Sequence, residues 1–260
     1  GSRAESGLTA VVTAENTWKE IRESGVDAAI VSFGAIEQHG YHLPLATDVI
    51  LAQERALALG RRLNAYVLPT MPFGCSREHM AFPGTITLRP ATLAAVLEDI
   101  VESLYHHGFR KIVLFSAHGG NWILKPAMRE LNYRYADLRI VWAGGPVPER
   151  GDPVPEDIHA GRSETARMLA VRPDLVRTEY QTIDSPGVVG QEWNDYIGFE
   201  KTTKTGAWGK PSEATAELGV KMQTDSLERQ VAYIEWAFAE LERRAKAPDV
   251  VRGGFDPPAE

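Results

Sequence analysis

The stretch Gly34–Asp48 gathers Glu37, His39, His42 and Asp48 into fifteen residues, directly after the apolar run Ala28–Phe33. Carboxylate oxygens and neutral imidazole nitrogens are donors that suit borderline divalent cations. In an extended backbone, side chains two apart share a side, so Glu37 and His39 can converge on one ion or on two adjacent ions. A second segment, Ala117–Asn121, places His118 after another apolar run, where Gly119 and Gly120 let the backbone pass close to a ligand or ion. In a third, Asp157–Glu164, His159 stands just before a helix and Glu164 lies within its first turns. Each signal has a plainer reading by itself: a capping carboxylate, a hydrogen-bonded turn histidine, a carboxylate favoured at a helix start. The single cysteine, Cys75, excludes both a Cys-rich zinc site and an intrachain disulfide. A bound metal would therefore have to be held by histidine and carboxylate.

The elements that carry these residues follow from periodicity. Trp18 and Ile21 recur at helical spacing over 16–24, and the run 28–33 reads as a buried strand bounded by Asp27 and Gly34. The alternation continues with helix 48–63, strand 65–68, helix 90–107 opened by Pro90 and closed by Gly108, and strand 111–116. Helix 122–135, strand 139–142, helix 161–171 and a long amphipathic helix over 211–244 complete it. Such alternation predicts an α/β fold: a three-layer α/β/α sandwich with a mostly parallel central sheet. The loops after Phe33, Ser116 and Trp142 leave strand C-terminal ends, where open α/β sheets place their ligand crevice. The Pro/Gly-rich stretch Gly144–Pro155 is expected to be a long loop and a candidate lid. One domain is expected over residues 15–245, between a tag remnant with flexible N-terminus (1–14) and a flexible C-terminal tail (246–260).

The bulk properties agree with a soluble enzyme of small molecules. The chain has 260 residues, 43% of them hydrophobic and 24% charged, as in ordinary globular domains. Its net charge of −7 argues against a nucleic-acid partner, since phosphate neutralisation needs a basic surface. No apolar run approaches the roughly 20 residues that span a bilayer, so no membrane partner is expected. With one cysteine and no targeting signal, the expected location is cytoplasmic.

The three segments together resemble the signature of the creatininase (creatinine amidohydrolase) family. Glu37–Asp48 is similar to its E-Q-H-G-x-H-L-P-x-x-T-D pattern, and Phe82–Leu88 to F-P-G-T-I-x-L. Gly108–Asn121 is similar to the segment ending in H-G-G-N, and His159–Thr165 to H-A-G-x-x-E-T. Gly206–Gly219 resembles G-x-x-G-x-P-x-x-A-x-x-E-x-G, so the likeness covers about residues 15–240. The resemblance implies a site for one or two divalent cations, zinc foremost, with manganese or iron as alternatives. In it Asp48 bridges, Glu37 and His118 bind one ion, and His39 and Glu164 bind the other. It further implies that His159 carries the proton, with Glu37 as the other catalytic residue. A cysteine–histidine pair within Phe73–Ile86 could suggest a thiol nucleophile. The resemblance instead assigns the chemistry to metal and leaves His79 to contact substrate or fix its loop, while Tyr41 and Trp208 are further candidates for lining a substrate pocket.

Departures from the pattern bear on the substrate. Creatininase itself carries a carboxylate where this chain has Gly120, and a tryptophan where it has Pro155. Arg162 stands where many relatives have Glu, and Tyr41 where many have Pro. The expectation is therefore hydrolysis of a C–N amide bond in a small molecule other than creatinine, a lactam, cyclic amide or ureide. Formamide deformylation of the flavin or deazaflavin type and mycofactocin-precursor-type peptidase activity are alternatives, and a metal-stabilised binding protein is the non-enzymatic one. Resemblance also implies a homohexamer built as a trimer of dimers. Trp18, Trp122, Trp193, Trp208 and Trp236 exceed what one core needs, and interfaces enrich for tryptophan. Gln191–Phe199 is the expected exposed aromatic patch.

Overall fold

In the computed structural model, which describes residues 11–144, 157–187 and 189–247, apolar side chains alternate across the strand β2 (Ala28–Phe33). Ala29, Val31 and Phe33 pack into one core cluster, while Ala28 and Ile30 pack into another on the opposite face. This is the two-residue period of a strand buried on both sides. It sits mid-sheet in the order β1-β3-β2-β4-β5, with β1 at Val12–Thr13, β3 at Tyr66–Val67, β4 at Lys111–Ser116 and β5 at Arg139–Trp142. All four strand pairings are parallel.

Helices cover both faces, giving the three-layer α/β/α arrangement. Helices α3 (Pro90–His106) and α4 (Leu124–Arg134) supply Leu93, Leu97, Val101, Leu124 and Leu131 to the first cluster, joined by Ile21 of α1 (Trp18–Ser24). The second cluster takes Ala56 and Leu59 from α2 (Thr47–Leu63) and Val231, Ile234 and Ala237 from α6 (Ala216–Lys246). Helix α5 (Arg162–Val171) contributes Met168 to a third, smaller cluster with Leu43 and Leu51.

Local chemistry explains several boundaries. Thr17 and Glu20 form a reciprocal capping box on α1, Pro90 opens α3, and Gly108 follows its end at φ 94°. The long C-terminal helix begins later than periodicity alone suggests. Pro211–Glu213 forms a separate 3₁₀ turn, and α6 starts where Thr215 Oγ1 accepts the Leu218 N–H at 3.1 Å. Gly144 apart, the expected loop Gly144–Pro155 lies outside the described residues. Among the described residues no helix is long and apolar enough to cross a membrane.

The strand order fixes where a site can form. From β2 the chain moves to β3 on one side, and from β3 it crosses over β2 to β4 on the other. Loops leaving the C-terminal ends of β2 and β4 therefore diverge, opening a crevice between them. Gly34 makes the first of these loops possible. A Cβ there would lie 2.7 Å from the Val49 backbone, so only glycine lets the chain leaving β2 run against the start of α2.

Candidate metal centre

Four elements deliver side chains into that crevice. Glu37 and His39 lie on the loop after β2, Asp48 in the first turn of α2, His118 just past β4, and Glu164 in the first turn of α5. His159 is held just before α5 by a two-residue bridge to Trp208, with backbone N···O distances of 3.0 and 2.7 Å. Asp48 stands at the middle: Oδ1 lies 3.3 Å from His39 Nε2, and Oδ2 lies 3.4 Å from His118 Nδ1. Glu37 Oε2 approaches His118 Nε2 at 3.1 Å, and Glu164 Oε2 approaches His39 Nε2 at 3.8 Å.

These atoms form two triads sharing Asp48: Glu37–Asp48–His118 and His39–Asp48–Glu164, each with donor atoms within 4.8 Å of one another. A third group of this kind joins Glu37, His39 and His159. The chemistry of the cluster fits a divalent cation. Glu37 Oε1, His39 Nε2 and Asp48 Oδ2 are buried and have no hydrogen-bond partner, although burying such atoms unsatisfied is costly. Cations between them would satisfy all three.

Backbone carbonyls fix which nitrogen each histidine offers. His39 Nδ1 donates to the Glu37 carbonyl at 3.1 Å, leaving Nε2 to face Asp48. His118 Nε2 donates to the Cys75 carbonyl at 2.7 Å, leaving Nδ1 for Asp48. His159 Nε2 donates to the Gln38 carbonyl at 2.6 Å, so its Nδ1 faces Glu37 Oε1 at 3.8 Å. Ligating histidines are commonly oriented in this way.

Electrostatics separates the rings into two classes. Burial opposes protonation of His39 and His118, but carboxylates outweigh it: Asp48, Glu164 and Glu37 around His39, and Glu37 and Asp48 around His118, push each up to about 10. In the metal-free protein these two rings carry protons where a cation would otherwise supply the charge. Burial pulls His159 down to about 3, helped by His39 and His79, and His79 to about 4. Burial also pushes Glu37 upward, but His118, His79 and His159 together hold its carboxyl well below the usual range.

Against known proteins, the creatininase family profile, described as creatinine amidohydrolase, matches residues 14–234. The chain belongs to the creatininase family. It is similar to a creatinine amidohydrolase of Pseudomonas putida, with 33% identity over 80% of this chain and 90% of that protein. It is also similar to a mycofactocin precursor peptide peptidase of Mycolicibacterium smegmatis, with 31% identity over 76% of this chain and 81% of the relative. Among solved structures, one described as "Creatininase Mn" superposes with a TM-score of 0.73 and 28% identity, covering 89% of this chain and 99% of that one.

In this creatininase-family protein the other residues singled out in the sequence scatter. His79 enters the centre, with Nε2 3.5 Å from Glu37 Oε1 and its ring tilted against those of His159 and Phe199, at centroid distances of 4.4 and 4.3 Å. His42 does not join the metal-binding groups; its Nε2 lies 2.8 Å from Thr165 Oγ1, tying the β2 loop to α5. Tyr41 is exposed, with its hydroxyl directed at the Lys204 carbonyl, and Trp208 is buried behind His159. Neither lines the cleft of about 1140 Å³ that opens onto His79, His118 and His159. Cys75 is buried, and its carbonyl rather than its thiol serves the centre.

Three supporting residues take roles that local spacing in the sequence does not assign. Ser76 Oγ donates to Glu37 Oε2 at 2.6 Å. Gln38 Nε2 donates to the Gly206 carbonyl and to His79 Nδ1, at 3.0 and 2.8 Å, which directs the proton of His79 to Nε2. Phe199 packs against His79 and His159 with ring centroids 4.3 and 5.1 Å away. All three contacts cross long chain separations, so local spacing holds no sign of them.

Proposed function

We propose that this protein is a metal-dependent amidohydrolase that cleaves a C–N amide bond with water, which divalent cations held at this centre would activate. The observation that carries the reading is the shared carboxylate: Asp48 turns one oxygen toward His39 and the other toward His118. Glu37, Asp48 and His118 would hold one ion, and His39, Asp48 and Glu164 the other. Bound there, divalent cations would lower the pKa of water from about 16 toward 7 and polarise the scissile carbonyl. Mixed oxygen and nitrogen ligation suits zinc, manganese or ferrous iron.

His159 is the proton carrier in this reading. Burial keeps the ring neutral at physiological pH, and the Gln38 carbonyl occupies Nε2, so a proton is taken up and released at Nδ1. His79 holds substrate or orients Glu37 through Nε2, backed by Gln38. Glu37, kept ionised by the surrounding rings, serves both as ligand and as the acceptor facing His159.

The substrate expected from the sequence is a small cyclic amide or ureide. A second reading is supported by the cleft. Its volume of about 1140 Å³ exceeds the usual ~300–1,000 Å³ of small-ligand pockets, leaving room for a peptide of the kind named for the mycobacterial relative. Metal analysis combined with assays on lactams, cyclic ureides, formamides and short peptides tests both. Hydrolysis by the chelated, metal-free protein would sink the mechanism, and turnover of one substrate class would choose between the readings.

A further inference from the structure

The cleft in front of the centre is acidic. Among its described lining residues Glu78, Glu192, Asp195 and Glu200 are acidic and Arg77 is the one lysine or arginine. Glu78 approaches the centre, with Oε1 3.9 Å from His79 Nε2 and 4.0 Å from His118 Nε2, while its side chain stays 20% exposed. The position depends on Gly120. A Cβ at residue 120 would lie 2.9 Å from Glu78 Oε1 and 2.3 Å from both the Cys75 carbonyl oxygen and His118 Nε2. The missing side chain is thus what leaves room for the Glu78 carboxylate beside the His118 ring.

Glu78 has little else to bind. Among the described residues its ion pairs run only to the two rings, and no lysine or arginine lies within 4.0 Å of it. Nor does it belong to any of the groups that could hold a metal. A carboxylate that is mostly buried, open on one side and set in an acidic cleft attracts cations and repels anions. We propose that Glu78 is a specificity-determining residue that binds an ammonium, guanidinium or amidinium group close to the scissile amide of the substrate. The assignment rests on the hydrolase reading above for what happens next to that cation, but not for the binding itself.

A matched set of amides tests it: 4-aminobutanamide with an ammonium end, pentanamide with a methyl in its place, and glutaramate with a carboxylate. Titration calorimetry on the metal-loaded protein should rank the ammonium compound tightest and glutaramate weakest. Glu78→Gln should weaken the ammonium compound by about 10–100-fold, as expected for losing a charged hydrogen bond, and change pentanamide by less than about twofold. Metal content should stay the same, and Glu78→Asp should keep part of the preference. The assignment is overturned if wild type shows no charge preference, if Glu78→Gln weakens all three alike, or if it loses a metal equivalent. Should the ammonium preference depend on Glu78 while no amide is ever hydrolysed, the hydrolase reading falls and the Glu78 site stands. Hydrolysis without charge preference would do the reverse, removing the Glu78 site and leaving the hydrolase reading intact.

Discussion

His159 Nδ1 stands 3.8 Å from Glu37 Oε1, too far for a direct hydrogen bond and near enough for one water to join them. A ring in that position can move a proton without holding metal. His159→Ala should therefore keep nearly its full metal content while turnover falls by about 10²–10⁴, the usual cost of losing a positioned acid or base. Elemental analysis beside steady-state kinetics checks both halves. Stoichiometric loss of metal would instead make His159 a ligand, through its group with Glu37 and His39.

The shared position of Asp48 gives a graded expectation. Asp48→Asn removes a donor from both triads, whereas Glu164→Gln removes one from the His39 triad alone. Plasma emission analysis after dialysis should find the first variant nearly metal-free and the second keeping about half of the wild-type content. Equal loss in the two variants would contradict a bridging Asp48.

Proton linkage predicts how the metal-free protein responds to pH. His39 and His118 are raised to about 10 in the fold, against about 6.5 in an unfolded chain. Such groups bind more protons folded than unfolded, so their stabilisation is complete below about pH 6.5 and is lost as pH rises toward 10. Chelated protein should therefore lose thermal stability between pH 7 and 9.5, while loaded protein changes less. Metal binding in the same range should release protons, measurable as calorimetric heats that scale with buffer ionisation enthalpy. A chelated protein whose Tm rises across this window would refute the assignment of protons to these rings.

Strands β2, β4 and β5 were legible because a strand buried on both faces needs an unbroken apolar run, which few other elements require. The candidate ligands were legible for a related reason: parallel strands end at the crevice, so polar residues just past an apolar run are carried there. Ser76, Gln38 and Phe199 were not, because their roles exist only once distant loops meet. Aromatic type alone also misled on direction. Tyr41 and Trp208 have the chemistry of pocket walls, but the loop of one turns outward and the other is packed behind His159. Gln191–Phe199, marked by its aromatics as a subunit contact, also supplies one wall of the cleft.

A homohexamer remains the expected assembly. Trp18, Trp122 and Trp236 are at least 60% exposed, and large exposed aromatics on a monomer invite association. Trp208 is buried and offers no surface to another subunit. Light scattering coupled to gel filtration at micromolar concentration should give six times the 28.7 kDa chain mass. A stable monomer with full activity would refute this, and would leave Gln191–Phe199 serving the cleft alone.

Neighbouring glycines provide a controlled comparison of what the centre demands of its backbone. A Cβ on Gly119 meets nothing within 4 Å, and the residue is exposed. Gly119→Ala should therefore shift stability by no more than about 0.5 kcal/mol, with any gain coming from a less flexible unfolded chain. At Gly120 a Cβ would press on the Cys75 carbonyl and on the His118 ring it orients, neither of which is the free end of a flexible chain. Overpacking of this kind costs about 1–3 kcal/mol, and relief requires His118 to turn away from Asp48. Gly120→Ala should thus lower Tm by several degrees and reduce metal content, while Gly119→Ala does neither. Calorimetry and elemental analysis on the pair decide it, since equal behaviour of the two variants would mean that residue 120 does not pack against His118.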